Sequence, residues 1–348
     1  MNDSYSPDRN RYDAMQYRRC GTSGLKLPAI SLGCWHNFGA AGTASNQLKD
    51  EADFHENCRQ MLFTALDGGI NHFDLANNYG PPPGAAEERV GRILREDFGG
   101  LRDELIISSK AGYGMWPGPY GDGGSRKYLL ASLDQSLQRL GLDYVDIFYH
   151  HRPDSETPLE ESMGALDTAV RSGKALYAGI SSYSGQRTRD AIEICEKHGF
   201  IKPIIHQPSY SLLNRGIENG LLPATRAEGM GVIAFCPLQQ GLLTDKYLSG
   251  DVPDDSRAAS AAGALSRDSV NAKTVEKVRA LNEIAKKRKQ NLAQMSLSWV
   301  LRDTAVTSAL IGASRPEQIK QNLAAAQNTT FNEQEIARIE EVLGDKKS

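Results

Sequence analysis

Short runs of apolar and β-branched residues alternate along most of the chain with longer stretches of helical periodicity. The stretches Lys127–Leu140 and Gly185–His198, for example, place their apolar residues on one helical stripe. Strands that alternate with helices indicate parallel β–α–β units. The predicted strands are Ala29–Gly33, Asn71–Leu75, Glu104–Lys110, Tyr144–His151, Ala175–Ser181, Ile204–Gln207, Val232–Pro237 and Ser308–Ile311.

A closed (β/α)8 barrel, the TIM barrel, is the economical way to join eight parallel strands. The stretch Gln16–Pro28 predicts a β-hairpin that caps the bottom of this barrel. Neither a linker nor an internal repeat divides the sequence, so we expect one domain over residues 1–348, with 1–14 as a flexible N-terminal segment. Gly250–Asn271 breaks the helical continuity, and loops of this length are usually functional lids or disordered segments.

Composition narrows the class of protein. The length of 348 residues lies within the range that α/β barrels fill as one unit, and 40% hydrophobic with 24% charged residues is typical of a globular protein. A net charge of -3 gives no electrostatic reason to expect nucleic acid or an anionic membrane as a partner. Five cysteines without a CxxC pair, a polar opening segment and the lack of a long apolar run predict a cytoplasmic protein.

Candidate chemistry lies at the C-terminal ends of the predicted strands, where barrels carry their catalytic side chains. Asp74 and Lys110 end adjacent strands, and Tyr79 follows the first of them. The reference pKa of tyrosine, ~10, is too high for an efficient acid near neutrality. A lysine ammonium at ~4 Å would favour the phenolate by up to a few kcal/mol. Asp74 would hold that lysine charged and in place.

These residues carry a resemblance to a known family. The segment Gly69–Gly80, GINHFDLANNYG, resembles the aldo-keto reductase signature. The resemblance extends over nearly the whole chain and points to the branch that holds potassium-channel β subunits and bacterial L-glyceraldehyde 3-phosphate reductases. The further matching segments are Ile106–Lys110, Leu142–Pro153, Lys174–Ser182, Val232–Tyr247 and Val306–Asn322.

The resemblance implies a catalytic set. Tyr79 is then the general acid that protonates a carbonyl oxygen, Lys110 lowers its pKa, and Asp74 anchors Lys110. The family histidine precedes an aromatic residue or arginine and then proline, which selects His151 and not His150. His151 would orient the carbonyl and stabilise the developing alkoxide. The channel subunits carry asparagine at this position, so a histidine favours an active reductase.

The tryptophans and two other histidines are more open to interpretation. Trp35 and Trp116 lie on loops at the top of the barrel, where they either pack or form an aldehyde pocket with Tyr79 and His151. His72 and His206 are interpreted as histidines that satisfy local hydrogen bonds.

The resemblance also implies NADPH as cofactor. Ser181 and Gln207 would hold the nicotinamide carboxamide, Phe235 would stack on the ring, and Ser314 with Arg315 would bind the 2′-phosphate. Ser182 stands where the family usually has asparagine. The Gly250–Asn271 segment would then order over the cofactor, with Arg257 or Arg267 on its phosphates. The full cofactor set is Trp35, Asp74, Ser181, Gln207, Phe235, Pro237, Leu238, Gln239, Gln240, Gly241, Lys246, Gly312, Ser314, Arg315, Gln318 and Asn322.

We therefore expect NADPH-dependent reduction of small aldehydes, such as glyceraldehyde 3-phosphate or methylglyoxal, by a homotetramer or larger assembly. Two alternatives stay open. One is a Schiff-base lyase with Lys110 as nucleophile. The other is a non-catalytic, redox-sensing subunit that binds NADPH. A metal site is not expected, because the strand ends carry neither an HxH motif nor a carboxylate–histidine cluster.

Overall fold

The computed structural model describes residues 5–43, 47–253, 258 and 265–344. Eight parallel strands close into a barrel in the order β10-β3-β4-β5-β6-β7-β8-β9, and a two-stranded antiparallel sheet precedes them. The predicted TIM barrel with an N-terminal hairpin is confirmed. The strands are β1 (Tyr17–Arg19), β2 (Lys26–Pro28), β3 (Ile30–Gly33), β4 (His72–Asp74), β5 (Ile106–Ala111), β6 (Val145–His150), β7 (Ala175–Ser181), β8 (Ile205–Gln207), β9 (Gly231–Phe235) and β10 (Val306–Ile311).

Helices cover the outside of the barrel, and two of them show why the sequence predicts them well. The side chains of Ser125 and Ser184 accept amide hydrogen bonds at the two N-termini, and Gly141 and Gly199 end the same helices with positive φ. The helices are α1 (Glu51–Asp67), α2 (Ala85–Asp97), α3 (Arg126–Leu140), α4 (Leu159–Arg171), α5 (Gly185–His198), α6 (Leu221–Ala227), α7 (Ala272–Lys287), α8 (Leu292–Leu301), α9 (Pro316–Leu323) and α10 (Glu333–Leu343).

The hairpin closes the end of the barrel at which the strands begin. Its residues Cys20 and Leu27 are fully buried in one apolar cluster with Ile147, Ile205 and Ile233. A Cβ on Gly231 would lie 2.5 Å from the Cys20 sulfur, so only glycine lets the hairpin approach this closely. The apolar plug leaves the opposite end, where the strands finish, as the open mouth.

Segments outside the barrel also pack on it. Tyr5 stacks on Phe63 at 3.9 Å between ring centroids and donates to Asp67 at 2.9 Å, so the part of 1–14 that is described contacts α1. Within the described part of the chain, we find no helix with the length and hydropathy that a membrane crossing requires.

The predicted flap is described only in part. Residues 254–257 and 259–264, and with them Arg257, lie outside the described residues. Of the remainder, Ala258 and Leu265 are buried against Leu242 and Tyr247, in the segment that follows β9. Arg267 begins a single turn of 3-10 helix.

Candidate active site

A buried ion pair lies where β4 and β5 meet the mouth of the barrel. The two strands are paired in parallel, and Asp74 at the end of β4 lies opposite Ser108 of β5, two residues before Lys110. Lys110 Nζ donates to Asp74 Oδ2 at 2.6 Å and to the carbonyl oxygen of Leu75 at 2.6 Å. Both side chains are fully buried. Burial lowers the pKa of Lys110, and the Asp74 carboxylate opposes that shift.

Tyr79 lies on the loop after β4, and the start of α2 holds this loop. The Tyr79 carbonyl oxygen accepts from the Gly84 and Ala86 amides at 3.1 and 3.3 Å. Glu87, in the first turn of α2, is fully buried and accepts from Ser109 Oγ of β5 at 2.5 Å. Arg139 of α3 donates to the same carboxylate at 2.8 Å. The tyrosine loop is thereby fixed to the strand that carries Lys110.

The ring of Tyr79 lies beside the ion pair. Lys110 Nζ is 5.0 Å from the ring centroid. Burial raises the pKa of Tyr79 well above its ordinary value, and the Asp74 carboxylate adds to the shift. This direction is opposite to the one that we expected from Lys110 alone, because burial of the phenol outweighs the ammonium charge and the Asp74 carboxylate adds to the effect of burial. The phenol is therefore protonated at neutral pH.

His151 faces the same space. Its ring centroid lies 5.8 Å from that of Tyr79 and 4.7 Å from that of Tyr113. Burial lowers the pKa of His151 well below its ordinary value, and the positive charge of Lys110 acts in the same direction. The imidazole is thus neutral. His150, its neighbour, is turned away and bonds to the Tyr183 hydroxyl at 2.7 Å, as strand alternation requires.

One cavity of about 810 Å3 connects these residues to the N-terminus of α9. Tyr79, His151 and Trp35 lie at one end, and Ser314 with Arg315 at the other. Most of the expected cofactor residues border this space. They are Trp35, Asp74, Gln207, Phe235, Pro237, Leu238, Gln240, Gly241, Lys246, Gly312, Ser314, Arg315, Gln318 and Asn322.

Three expected residues do not line the cavity. Ser181 donates to the carbonyl oxygen of Gln207 at 2.8 Å, beneath the wall. The Gln239 amide oxygen accepts from Ser211 Oγ at 2.8 Å. Trp116 packs on Tyr128 with ring centroids 5.1 Å apart, so it contributes to the core and not to a pocket wall.

The loop after β9 has an unusual backbone. Cys236, Gln239 and Gln240 adopt φ angles of 54°, 48° and 57°, and Gly241 continues with 98°. Left-handed backbone at non-glycine residues costs about 1–3 kcal/mol each and concentrates at ligand sites.

Ser182, directly after β7, also has a positive φ of 61°, a conformation that asparagine adopts more readily than most residues. The family's usual asparagine at this position therefore has a conformational reason.

The far end of the cavity is built around Gln318. Its side-chain oxygen accepts from the Ser314 amide at 2.9 Å and lies 3.3 Å from the Ser314 hydroxyl. Arg315 is exposed and precedes Pro316, the first residue of α9. The described residues form no ion pair with Arg315, which leaves its guanidinium available to an anion.

Sequence reasoning missed several residues of the cavity wall. Tyr113 contacts His151, and its position three residues after Lys110 was the available signal. Cys236 follows Phe235 directly in the expected cofactor segment. Asn282 and Asn291 belong to α7 and to the N-cap of α8 and carry no motif.

The two histidines assigned to local hydrogen bonds behave differently. His72 is bonded through both ring nitrogens. For His206 the local hydrogen bond stays a prediction: among the described residues neither ring nitrogen has a side-chain partner, and the backbone of Tyr183 is the polar group that acts on its pKa. In the same part of the chain, no group of three His, Cys, Asp or Glu side chains is arranged to hold a metal ion.

A buried lysine–carboxylate pair lies beside a protonated tyrosine and a neutral histidine in the mouth of a (β/α)8 barrel, an arrangement that is capable of acid–base chemistry. Residues 29–344 match the Aldo/keto reductase family, so the chain belongs to this family of oxidoreductases, which generally depend on NAD(P)H. The predicted family membership is confirmed.

The relatives cover nearly the whole chain. L-Glyceraldehyde 3-phosphate reductase of Escherichia coli O157:H7 is 56% identical over 339 residues, which is 96% of this chain and 94% of the relative. The protein of the same name from Escherichia coli K12 gives the same values. A probable voltage-gated potassium channel subunit beta of Oryza sativa is 37% identical over 313 residues, with 89% and 91% covered. Both kinds of relative lie in the branch that the sequence predicted.

Proposed function

We propose that this protein is an NADPH-dependent reductase of small aldehydes, such as glyceraldehyde 3-phosphate or methylglyoxal. The observation that carries the proposal is one cavity with Tyr79, His151 and the Lys110–Asp74 pair at one end and Arg315 at the other. The class of substrate is further supported by the 56% identity to proteins named L-glyceraldehyde 3-phosphate reductase. We place the protein in the cytoplasm, as a homo-oligomer of four or more subunits.

When bound, NADPH supplies the hydride. Tyr79 gives its proton to the carbonyl oxygen, and the positive charge of Lys110, 5.0 Å from the ring centroid, would favour the phenolate that forms. Neutral His151 donates a hydrogen bond to the same oxygen and stabilises the negative charge that develops there. Lys110 supplies a positive charge behind the Tyr79 ring, and Asp74 holds it there.

The residues present fit the cofactor. The loop from Cys236 to Gly241, with left-handed φ at Cys236, Gln239, Gln240 and Gly241, borders the cavity and would hold the pyrophosphate. Gln207 has its side-chain nitrogen 3.1 Å from Asp74 Oδ1, so its amide oxygen remains for the carboxamide. Arg315 and Ser314 would hold the 2′-phosphate.

The Schiff-base alternative requires Lys110 to reach a carbonyl carbon. Its Nζ is fully buried below the cavity and is engaged by Asp74 and the Leu75 carbonyl, which disfavours nucleophilic attack. Borohydride trapping of an aldehyde on Lys110 would revive this alternative. A non-catalytic subunit predicts cofactor binding without sustained NADPH oxidation when an aldehyde is added.

The substitution Tyr79→Phe tests the proposed proton donor. We expect kcat for methylglyoxal to fall by about 10²–10⁴-fold or more, because the general acid is lost while the ring remains. The affinity for NADPH, measured by fluorescence titration, should be nearly unchanged. Tyr113→Phe is the matched control, since it removes a hydroxyl from a second tyrosine of the cavity wall. Turnover of Tyr79→Phe near that of the control would refute the assignment.

The substitution Arg315→Ala tests the cofactor. Loss of a charge-assisted phosphate contact should weaken NADPH binding by about 10–150-fold and leave NADH binding unchanged. Lys320→Ala removes an exposed cation from the same helix and serves as control. Equal dissociation constants of the wild type for the two nucleotides would contradict the NADPH preference.

A further inference from the structure

A line of polar side chains runs through the barrel interior beneath the ion pair. It crosses four neighbouring strands, β10, β3, β4 and β5, and every member is fully buried. The members, in order, are Ser308, Ser31, His72, Ser108 and Asp74. The successive contacts measure 2.7, 2.9, 3.0 and 2.7 Å. Four buried contacts of hydrogen-bond length form a continuous chain and not a scatter of isolated polar groups.

The chemistry of Asp74 fixes the direction of this chain at its upper end. A carboxylate only accepts, so Ser108 donates its hydroxyl hydrogen to Asp74 Oδ1. The Ser108 oxygen is then free to accept, and the group within reach is Nε2 of His72. His72 therefore carries its hydrogen on Nε2.

The lower end follows from the state of the imidazole. Burial lowers the pKa of His72 to about 4, which leaves the ring neutral with a single N–H. Because Nε2 holds that hydrogen, Nδ1 accepts from Ser31, and the Ser31 oxygen accepts from Ser308. All four donors point towards Asp74.

Two further side chains donate hydrogen bonds to the Asp74 carboxylate, and one of them differs from the buried chain in its relation to the cavity. Lys110 occupies Oδ2, and the Gln207 side chain approaches Oδ1 at 3.1 Å. Gln207 lines the cavity and would also bind the cofactor through its amide oxygen, whereas Ser108 and His72 are fully buried and do not line the cavity. The buried chain is thus the support of Asp74 that does not depend on what the cavity holds.

We propose that His72 is a positioning residue that acts through Ser108, and that Ser31 fixes its tautomer. The chain sets the orientation of the Asp74 carboxylate and thereby holds Lys110 beside the Tyr79 ring. This inference rests on the proposed function in one respect, namely that the Lys110–Tyr79 arrangement determines the rate of proton transfer. Because His72 does not border the cavity, its loss should affect kcat and not substrate affinity.

Nitrogen NMR tests the chain independently of activity. The full-length protein is labelled with 15N-histidine, and His72→Gln identifies the His72 signals among those of the seven histidines. We expect a neutral ring protonated on Nε2 at pH 7. An Nδ1-protonated ring or an imidazolium would overturn the proposed direction. Failure of the reductase proposal, seen with Tyr79→Phe, would leave this measurement unaffected.

A kinetic series tests the positioning role. We expect kcat to fall about 10- to 100-fold in His72→Phe, because small displacements of a reacting group have effects of this size. Ser108→Ala should lose more and Ser31→Ala less, in the order of their distance from Asp74 along the chain. His72→Gln keeps an N–H donor and should recover part of the loss. The aldehyde KM and the NADPH dissociation constant should change less than about twofold.

The control is Ser296→Ala, which removes a fully buried hydroxyl that bonds to the Leu292 carbonyl on α8. Thermal midpoints are measured for every variant. If kcat follows the loss of thermal stability, whatever the position in the chain, His72 is only a structural residue. Wild-type kcat in His72→Phe would also overturn the proposal.

Discussion

The two sides of the barrel interior differ in the polarity of their side chains. The side formed by β10, β3, β4 and β5 carries the hydrogen-bonded chain that ends at Asp74 and Lys110. The side formed by β6, β8 and β9 carries Ile147, Ile205 and Ile233, which belong to the apolar cluster that packs on the hairpin; β5 and β10 add Ile106 and Leu310 to this cluster. Both sides are equally shielded from water, so burial alone does not account for the difference.

The apolar side chains stabilise the barrel, whereas the polar side chains also hold the groups that are proposed to react. Apolar contacts are non-directional, and many combinations of similar volume fill the same space. A buried ion pair gains little over an apolar pair, but the loss of one partner is costly. The polar side is therefore expected to be sensitive to single changes in both stability and activity, and the apolar side in stability alone.

The largest effect is expected from Lys110→Met, which leaves Asp74 with a buried, uncompensated charge. The free energy of unfolding should fall by about 3–5 kcal/mol, and NADPH oxidation with an aldehyde should become undetectable or nearly so. Urea titration and steady-state kinetics measure the two effects.

The double variant Asp74→Asn/Lys110→Met separates the effect of the unpaired charge on stability from the loss of activity. Asparagine still accepts from Ser108 without a charge, so most of the lost stability should return while activity does not. A Lys110→Met protein as stable as the wild type would show that the pair is not ionised in the folded state.

On the apolar side, Ile233→Ala removes most of a fully buried side chain. We expect a loss of about 2–5 kcal/mol in the free energy of unfolding and, for Ile233→Val, about 0.5–1.5 kcal/mol. The kcat should remain within about twofold of the wild type at a temperature where the protein is folded. A large fall in kcat without a matching loss of stability would contradict the expectation that the apolar side affects stability alone.

Acid should destabilise the protein through its buried histidines. Burial lowers the pKa of His72 and of His150 to about 4, and that of His206 to about 3. Unfolded histidine has a pKa of ~6.5, so the unfolded state binds more protons below that pH. Stability is therefore complete above pH ~6.5 and falls on acidification, by up to ~1.4 kcal/mol per pH unit for each histidine, until the folded pKa is reached.

His206→Phe provides the control for this pH dependence, because His206 is fully buried and has no side-chain hydrogen-bond partner among the described residues. Between pH 6.5 and 4, the free energy of unfolding of the variant should fall less steeply with pH, by the contribution of one histidine. Its activity should be unchanged. Urea titrations at half-unit pH intervals measure the slope. An unchanged slope would mean that His206 takes up its proton in the folded state at the same pH as in the unfolded state.

The sequence predicted the barrel and the strand ends because both depend on periodicity and on one contiguous motif. Asp74, Tyr79 and Lys110 lie within 37 positions of one another and follow predicted strands. Their catalytic roles stay predictions. Contacts such as Ser31 with Ser308, 277 positions apart, depend on barrel closure and on the inward direction of each serine. For Trp116 the sequence left packing and a pocket wall open, because an aperiodic loop gives no indication of which way its side chains point.

Strand β5 carries two adjacent serines that point to opposite faces of the barrel wall. Ser108 points into the barrel and donates to Asp74, and Ser109 points outward and donates to the buried carboxylate of Glu87. A slip of β5 by one residue would exchange the two faces, deprive both carboxylates of their hydroxyl donors and turn Lys110 out of the barrel. Register errors during folding are thereby penalised on both faces at once, and by the same residues that frame the reactive site.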